Sequence, residues 1–226
     1  MADTIEIRRR QYTQVAEILE DVYGYPTWRP HLSPVDELVS TILSQNTSDT
    51  NRDMAFDSLT RRYDSWEAVR DAPPADVIEA IHSAGLSNQK GPRIQAALRY
   101  LSETQGDITL DFLADMDVAQ AKAWLTGIKG IGPKTAAIIL LFAFGKPAFP
   151  VDTHVHRVTQ RLGLIGPQTS AEQAHEELEK IIPQDQFLAA HLNIIRHGRE
   201  VCHARRPNCE ECPLTVYCEY YQSHRD

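Results

Sequence analysis

The chain has 226 residues, 42% of them hydrophobic and 24% charged, with a formal net charge of -8. That apolar content is enough for a buried core in one or two domains, and the acidic balance argues against a protein that merely coats nucleic acid. No signal peptide, membrane span or low-complexity tract is legible, so a cytoplasmic protein is expected, with no membrane partner. In chain order, residues 4–23 read as an amphipathic helix, with Ile5, Tyr12, Val15, Ile18 and Leu19 among its apolar positions and Arg8 to Arg10 on its charged side. The linker Tyr25-Pro26-Thr27-Trp28-Arg29-Pro30 follows. Ser33, Pro34 and Asp36 then supply a cap, a first-turn proline and a reciprocal carboxylate, and open a helix through Leu43. Further helices are expected at about 48–62, 66–71, 75–83, 88–104, 110–115 and 118–125, with Gly85, Gly106 and Gly127 at C-termini and Asp117 at an N-cap. Downstream, Ser170 with Gln173 caps a helix to about 182, and Asp185 begins another through Val201. No period-2 run of useful length occurs, so the fold class is all-α, without an internal repeat.

Residues 127–157, GIKGIGPKTAAIILLFAFGKPAFPVDTHVHR, carry the chemistry. Gly130 and Gly132 flank Ile131, which suits a tight hairpin with positive φ and close backbone approach to a bulky partner. Pro133 reads as the first helical position, so the hairpin opens into a helix whose unpaired N–H groups and positive dipole end can hold an anion such as phosphate. Ala136 to Phe144 is an unbroken apolar run, which predicts a helix buried on all sides and too short to span a bilayer. Lys134, in the first turn, is placed where both the dipole and burial disfavour a cation; it serves as a reactive amine, holds a phosphate, or snorkels to solvent. Asp152 precedes the helix bearing His154, His156, Arg157 and Arg161, and by position alone it is an N-cap.

Two segments concentrate positive charge: 82–99 carries Lys90, Arg93 and Arg99 with no acid, and 196–206 carries Arg196, Arg199, Arg205 and Arg206 against Glu200. The acids of 103–117 and 172–179 read as solvated outer faces. The four cysteines of the chain lie in one C-terminal segment, Cys202-x6-Cys209-x2-Cys212-x5-Cys218. Four thiols so close together in a cytoplasmic protein point to a metal centre rather than to disulfides. Zinc is the simpler occupant, although its sites usually take two separated C-x2-C pairs and only one is present.

With the glycine hairpin, Lys134, and Asp152 in VDTHVHR, the chain resembles the endonuclease III family of helix-hairpin-helix DNA glycosylases. The motifs ILSQNTSD at 42–49, SAGLSNQK at 83–90, and HGREVC at 197–202 with the three further cysteines extend the likeness from about residue 28 to 218. The resemblance implies a 4Fe-4S cluster on Cys202, Cys209, Cys212 and Cys218. It also implies two helical domains with the active site between them: one over 26–146 that holds the hairpin, and one that combines 1–25 with 147–226 and holds the cluster. The activity implied is that of a bifunctional DNA glycosylase and AP lyase of base excision repair, removing oxidised pyrimidines from duplex DNA. Lys134 would be the nucleophile and Asp152 its electrostatic partner, with a Schiff base leading to β-elimination. DNA contacts would come from Lys129, Gly130 and Gly132 in the hairpin, Gln45 or Asn46 in the gap left by a flipped base, Leu86 as a wedge, and Arg205 and Arg206 beside the cluster. The family's gap-filling Gln falls on Asn46, with Gln45 one place earlier, and the family's tyrosine after the wedge is Ser87. Alternatives are a monofunctional glycosylase in which Asp152 activates water, and a non-catalytic DNA-binding protein. A monomer, associated with the nucleoid in a prokaryote, is expected.

Overall fold

The computed structural model describes residues 2–28 and 32–224. Among the described residues it contains α-helices, short 3-10 turns and no strand, and no helix is long and apolar enough to cross a membrane. The chain divides into two compact units, Met1–Arg29 with Pro147–Asp226, and Pro30–Lys146.

The Pro30–Lys146 unit runs through α2 (Pro34–Ser44), α3 (Asp49–Arg62), α4 (Trp66–Asp71), α5 (Pro74–Ala80), α6 (Ser87–Gln105), α7 (Val118–Thr126) and α8 (Pro133–Phe144). Sequence punctuation sets most of their starts. The hydroxyl of Ser33 accepts from Asp36 N, that of Ser48 from Asn51 N and that of Ser65 from Ala68 N, while Asp117 caps α7 through Gln120 N. The expected helix at 110–115 is a 3-10 turn, Asp111–Ala114. Gly106 ends α6 at φ +78, in the left-handed region. Gly127 ends α7 at φ -68, so here the C-terminal glycine is not a left-handed cap. Leu38, Ile42, Leu43, Leu59, Ile94, Leu98, Leu125, Ile139 and Leu140 form the core, all at 0% exposure. Burying each such side chain contributes about 1.5–3 kcal/mol. The apolar run of α8 packs against α2 and α7. Thr135, Ala136, Ala137, Ile139, Leu140 and Leu141 are buried, whereas Pro133 and Lys134 at its start are exposed. Gly145, at φ +63, ends the helix by donating its N–H to Leu141 O at 3.1 Å.

The second unit pairs α1 (Ala2–Tyr23) with α9 (Thr153–Arg161), α10 (Ala171–Ile181), α11 (Phe187–Glu200) and the short α12 (Glu219–Ser223). α1 packs on α10 and α11 through Tyr12, Val15 and Leu19. The expected Ser170–Gln173 capping box is complete in both directions.

Candidate active site and metal centre

The hairpin is anchored by two apolar side chains, Ile128 and Ile131, which are buried at 2% and 4% exposure. Ile131 N–H donates to Ile128 O at 3.0 Å, closing a four-residue turn whose third residue, Gly130, has φ +91. A Cβ on Gly130 would stand 2.8 Å from both Cδ and Nε of Arg93, so the left-handed backbone favours glycine and any side chain there must displace Arg93. Gly132 differs. Its φ of -97 and ψ of 179 are extended, and nothing lies within 4 Å of where a Cβ would sit. The expectation of positive φ at both glycines is thus corrected: the turn needs one left-handed residue, and Gly132 already has the extended backbone of an N-cap.

Because Gly132 has no side chain to offer, the start of α8 has no side-chain cap. Lys129 and Lys134 are exposed beside it, and the Lys134 side chain forms no hydrogen bond with any described residue. The burial expected around Lys134 is therefore absent. Gly132 and Pro133, both exposed, precede it, so the side chain of Lys134 stands in solvent at the head of α8.

In the same unit, the loop after α2 holds Asn46 at φ +53, exposed, and Gln45, half-buried, whose Oε1 accepts a hydrogen bond from Arg93 Nη1. Leu86 is 48% exposed at φ +50 and immediately precedes α6. Among the described residues, the non-glycine residues at positive φ are Asn46, Leu86 and Arg206. All three lie in stretches that the sequence marks for DNA contact. Holding an L-residue there costs about 1–2 kcal/mol, and such strain concentrates at functional sites.

Lys90, read from the sequence as part of an exposed basic patch, is 1% exposed. Its Nζ donates to Leu43 O and Ala84 O, both at 2.8 Å. Burial, and secondarily Arg93, hold its ammonium below the usual lysine range. The patch contracts to the half-buried Arg93 and the exposed Arg99, which itself bonds Arg70 O at 3.2 Å.

In the other unit, Asp152 is the N-cap of α9, with Oδ1 accepting from His154 N at 2.9 Å and Val155 N at 2.7 Å. Its Oδ2 stays unbonded among the described residues, so capping leaves one carboxylate oxygen for other work. The segment leading to it is clamped by side chains that sequence reading missed. His175 Nδ1 lies 2.8 Å from Phe149 O, His191 Nδ1 lies 3.0 Å from Pro150 O, and Glu179 Oε1 accepts from Phe149 N at 2.9 Å.

The four cysteines line a single cavity together with Val158, Leu162, Leu214 and His197. Arg161 organises its rim. Nη1 donates to Cys202 Sγ at 3.2 Å and His203 O at 2.7 Å, and the guanidinium stacks 4.5 Å from the Tyr220 ring. Arg157 Nε donates to Cys202 O at 3.0 Å. Arg205 and Arg206 project into solvent from the loop. The Cys212 thiol is pushed up to about 11, first by burial and, against a lowering from the Leu214 backbone, by Cys202, Cys218 and Cys209. Among the described residues no three His, Cys, Asp or Glu side chains converge as a single-ion site. Four thiols around a shared cavity present the donor set that an iron-sulfur cluster requires.

Among the described residues, an all-α fold with an uncapped helix-hairpin-helix and a four-cysteine loop defines the class: a helix-hairpin-helix protein with a candidate iron-sulfur site. The HhH-GPD superfamily of base excision DNA repair proteins matches residues 39–184, and the iron-sulfur binding domain of endonuclease III matches residues 202–218. Endonuclease III of Thermotoga maritima is 36% identical over 203 residues, which cover 90% of this chain and 91% of the relative. A non-covalent endonuclease III–DNA complex superimposes with a TM-score of 0.83 at 26% identity, covering 95% of this chain and 97% of the other. A trapped endonuclease III–DNA covalent intermediate does so with a TM-score of 0.82 at 27% identity, again covering 95% and 97%. The chain belongs to the endonuclease III family within the HhH-GPD superfamily, and it is a DNA repair enzyme of the glycosylase class whose cofactor is an iron-sulfur cluster.

Proposed function

We propose that this enzyme is a bifunctional DNA glycosylase and AP lyase that removes oxidised pyrimidines from duplex DNA. The observation that carries the reading is Lys134: a free, exposed amine one residue beyond an uncapped glycine hairpin, at the head of an otherwise apolar helix. The hairpin N–H groups, with Lys129, Arg205 and Arg206, grip backbone phosphates and position the duplex without reading sequence. A damaged base leaves the stack at a cost of a few kcal/mol, lowest where stacking is already poor. Leu86 wedges the strand. Asn46 fills the vacated space, since Gln45 is occupied by Arg93. Cys202, Cys209, Cys212 and Cys218 hold the cluster, which cross-links the loop that displays Arg205 and Arg206.

In the chemical step, the unprotonated Lys134 amine attacks C1′, a C–N bond forms, and the glycosidic bond breaks with its electron pair leaving on the base, which takes up a proton. Asp152 stabilises the positive charge developing on the sugar and relays protons. Ring opening gives a Schiff base at C1′. Loss of a C2′ proton then expels the 3′ phosphate, and water releases the lysine. The neighbour captured as a covalent protein–DNA intermediate supports this route. Borohydride trapping tests it on duplexes that contain thymine glycol or an abasic site. Wild type should form a covalent adduct on both and Lys134→Ala on neither. Base release without an adduct would instead assign the monofunctional route, with Asp152 activating water, and binding without either product would leave a non-catalytic DNA-binding protein.

A further inference from the structure

We propose that Lys90 is a positioning residue that locks the Asn46 loop and the Leu86 turn into one rigid unit, so that gap filling and wedging occur together. The inference rests on the glycosylase reading above and deepens it.

A lysine at 1% exposure is an unusual core residue, because an apolar side chain of similar length would fill the space without desolvating an amine. Its two acceptors explain it. Leu43 O belongs to the last turn of α2, and Ala84 O ends the 3-10 turn His82–Ala84; both are helix-end carbonyls of the kind left without an intrahelical donor. Leu43 stands three residues before Asn46, and Ala84 two before Leu86. One amine therefore ties the roots of two loops that are separated by forty residues of chain. Leu86, Lys90 and Arg93 fall at i, i+4 and i+7, on one stripe along the start of α6. Arg93 continues the tie, since it donates to Gln45 Oε1 and lies against Gly130 of the hairpin. The strained residues Asn46 and Leu86 are the free ends of this frame, and the frame holds them at positive φ.

Hydrogen exchange of the free protein tests the coupling without any DNA chemistry. In wild type, segments 43–47 and 84–87 should open with the same urea dependence, as one cooperative unit. In Lys90→Met both segments should exchange faster together while the core of α8 is unchanged. A single-turnover cycle of Asn46→Ala and Leu86→Ala supplies the functional arm. In wild type the double variant should depart from the product of the single effects by about tenfold, the scale of coupling between residues that share a network. In the Lys90→Met background the two effects should multiply, and Lys90→Arg, which keeps the donors, should restore the coupling. Affinity of Lys90→Met for undamaged duplex should stay within the wild-type range, because Lys90 is buried and touches no DNA.

Independent opening of the two segments in wild type would overturn the proposal, even if Lys90→Met does not fold. So would exchange raised evenly across the unit, or coupling that survives the loss of Lys90. If wild type releases no base, the glycosylase reading fails, while the exchange result still decides whether Lys90 joins the loops.

Discussion

Gly130 and Gly132 look interchangeable in the motif GIKGIGPK, but the structure separates them, and substituting each by alanine tests whether fold and DNA binding divide as argued. At Gly130, alanine would sit at φ +91, which costs an L-residue about 1–2 kcal/mol. Its Cβ would also overlap Arg93 at 2.8 Å. Arg93 is long enough to move, but moving releases Gln45, a hydrogen bond from a charged group worth about 1.5–3 kcal/mol. Together these predict a loss of about 3–5 kcal/mol, which at a typical slope lowers the urea midpoint by roughly 2 M. At Gly132 the backbone is extended and the space is open, so the substitution should cost less than about 1 kcal/mol, chiefly through the poorer N-cap. Its methyl group would nevertheless stand at the uncapped start of α8, where the proposed function brings a phosphate. Duplex affinity, read by fluorescence anisotropy at fixed salt, should fall roughly tenfold, on the scale of one hydrogen bond to a charged group. An unfolding midpoint for Gly132→Ala as low as that for Gly130→Ala would refute the structural half of the reasoning. Unchanged DNA affinity in Gly132→Ala would refute the functional half.

Lys134→Ala should leave stability within about 0.5 kcal/mol, because the side chain is exposed and unbonded, while abolishing strand cleavage and retaining duplex binding. Replacing Cys209 by Ser should yield colourless, iron-poor protein that is proteolysed within residues 203–217; a variant with full iron content and normal resistance would remove the structural role of the cluster. His191→Leu should orphan Pro150 O, lower stability by about 1–3 kcal/mol, and slow base release more than it weakens DNA binding, as measured by chemical unfolding beside single-turnover kinetics. Equal effects on rate and binding would show that the clamp does not act through Asp152.

The helices were readable because their determinants are local. Serine and aspartate side chains reach N–H groups two or three residues away, and an apolar run such as Ala136 to Phe144 has only the core to go to. The cysteines, Lys134 and Asp152 stand out as residue types at fixed spacing, and their roles come from the family resemblance. Exposure was less so. Lys90 and Lys134 are both lysines near helix starts, yet one is sealed in the core and the other stands in solvent. The difference lies in whether carbonyls from distant chain segments arrive at the amine, which no local pattern encodes. The same holds for Arg93, His175, His191 and Arg161, whose acceptors lie between 26 and 48 residues away in sequence. By itself, then, the sequence determined the all-α class, most of the helix caps and the place of the hairpin, through short-range hydrogen bonding and hydrophobic periodicity. Only tertiary structure decided which cations are buried ties and which stand in solvent, which glycine the turn requires, and which of two neighbouring amides is left exposed, because each of these depends on groups that folding alone brings within hydrogen-bonding reach.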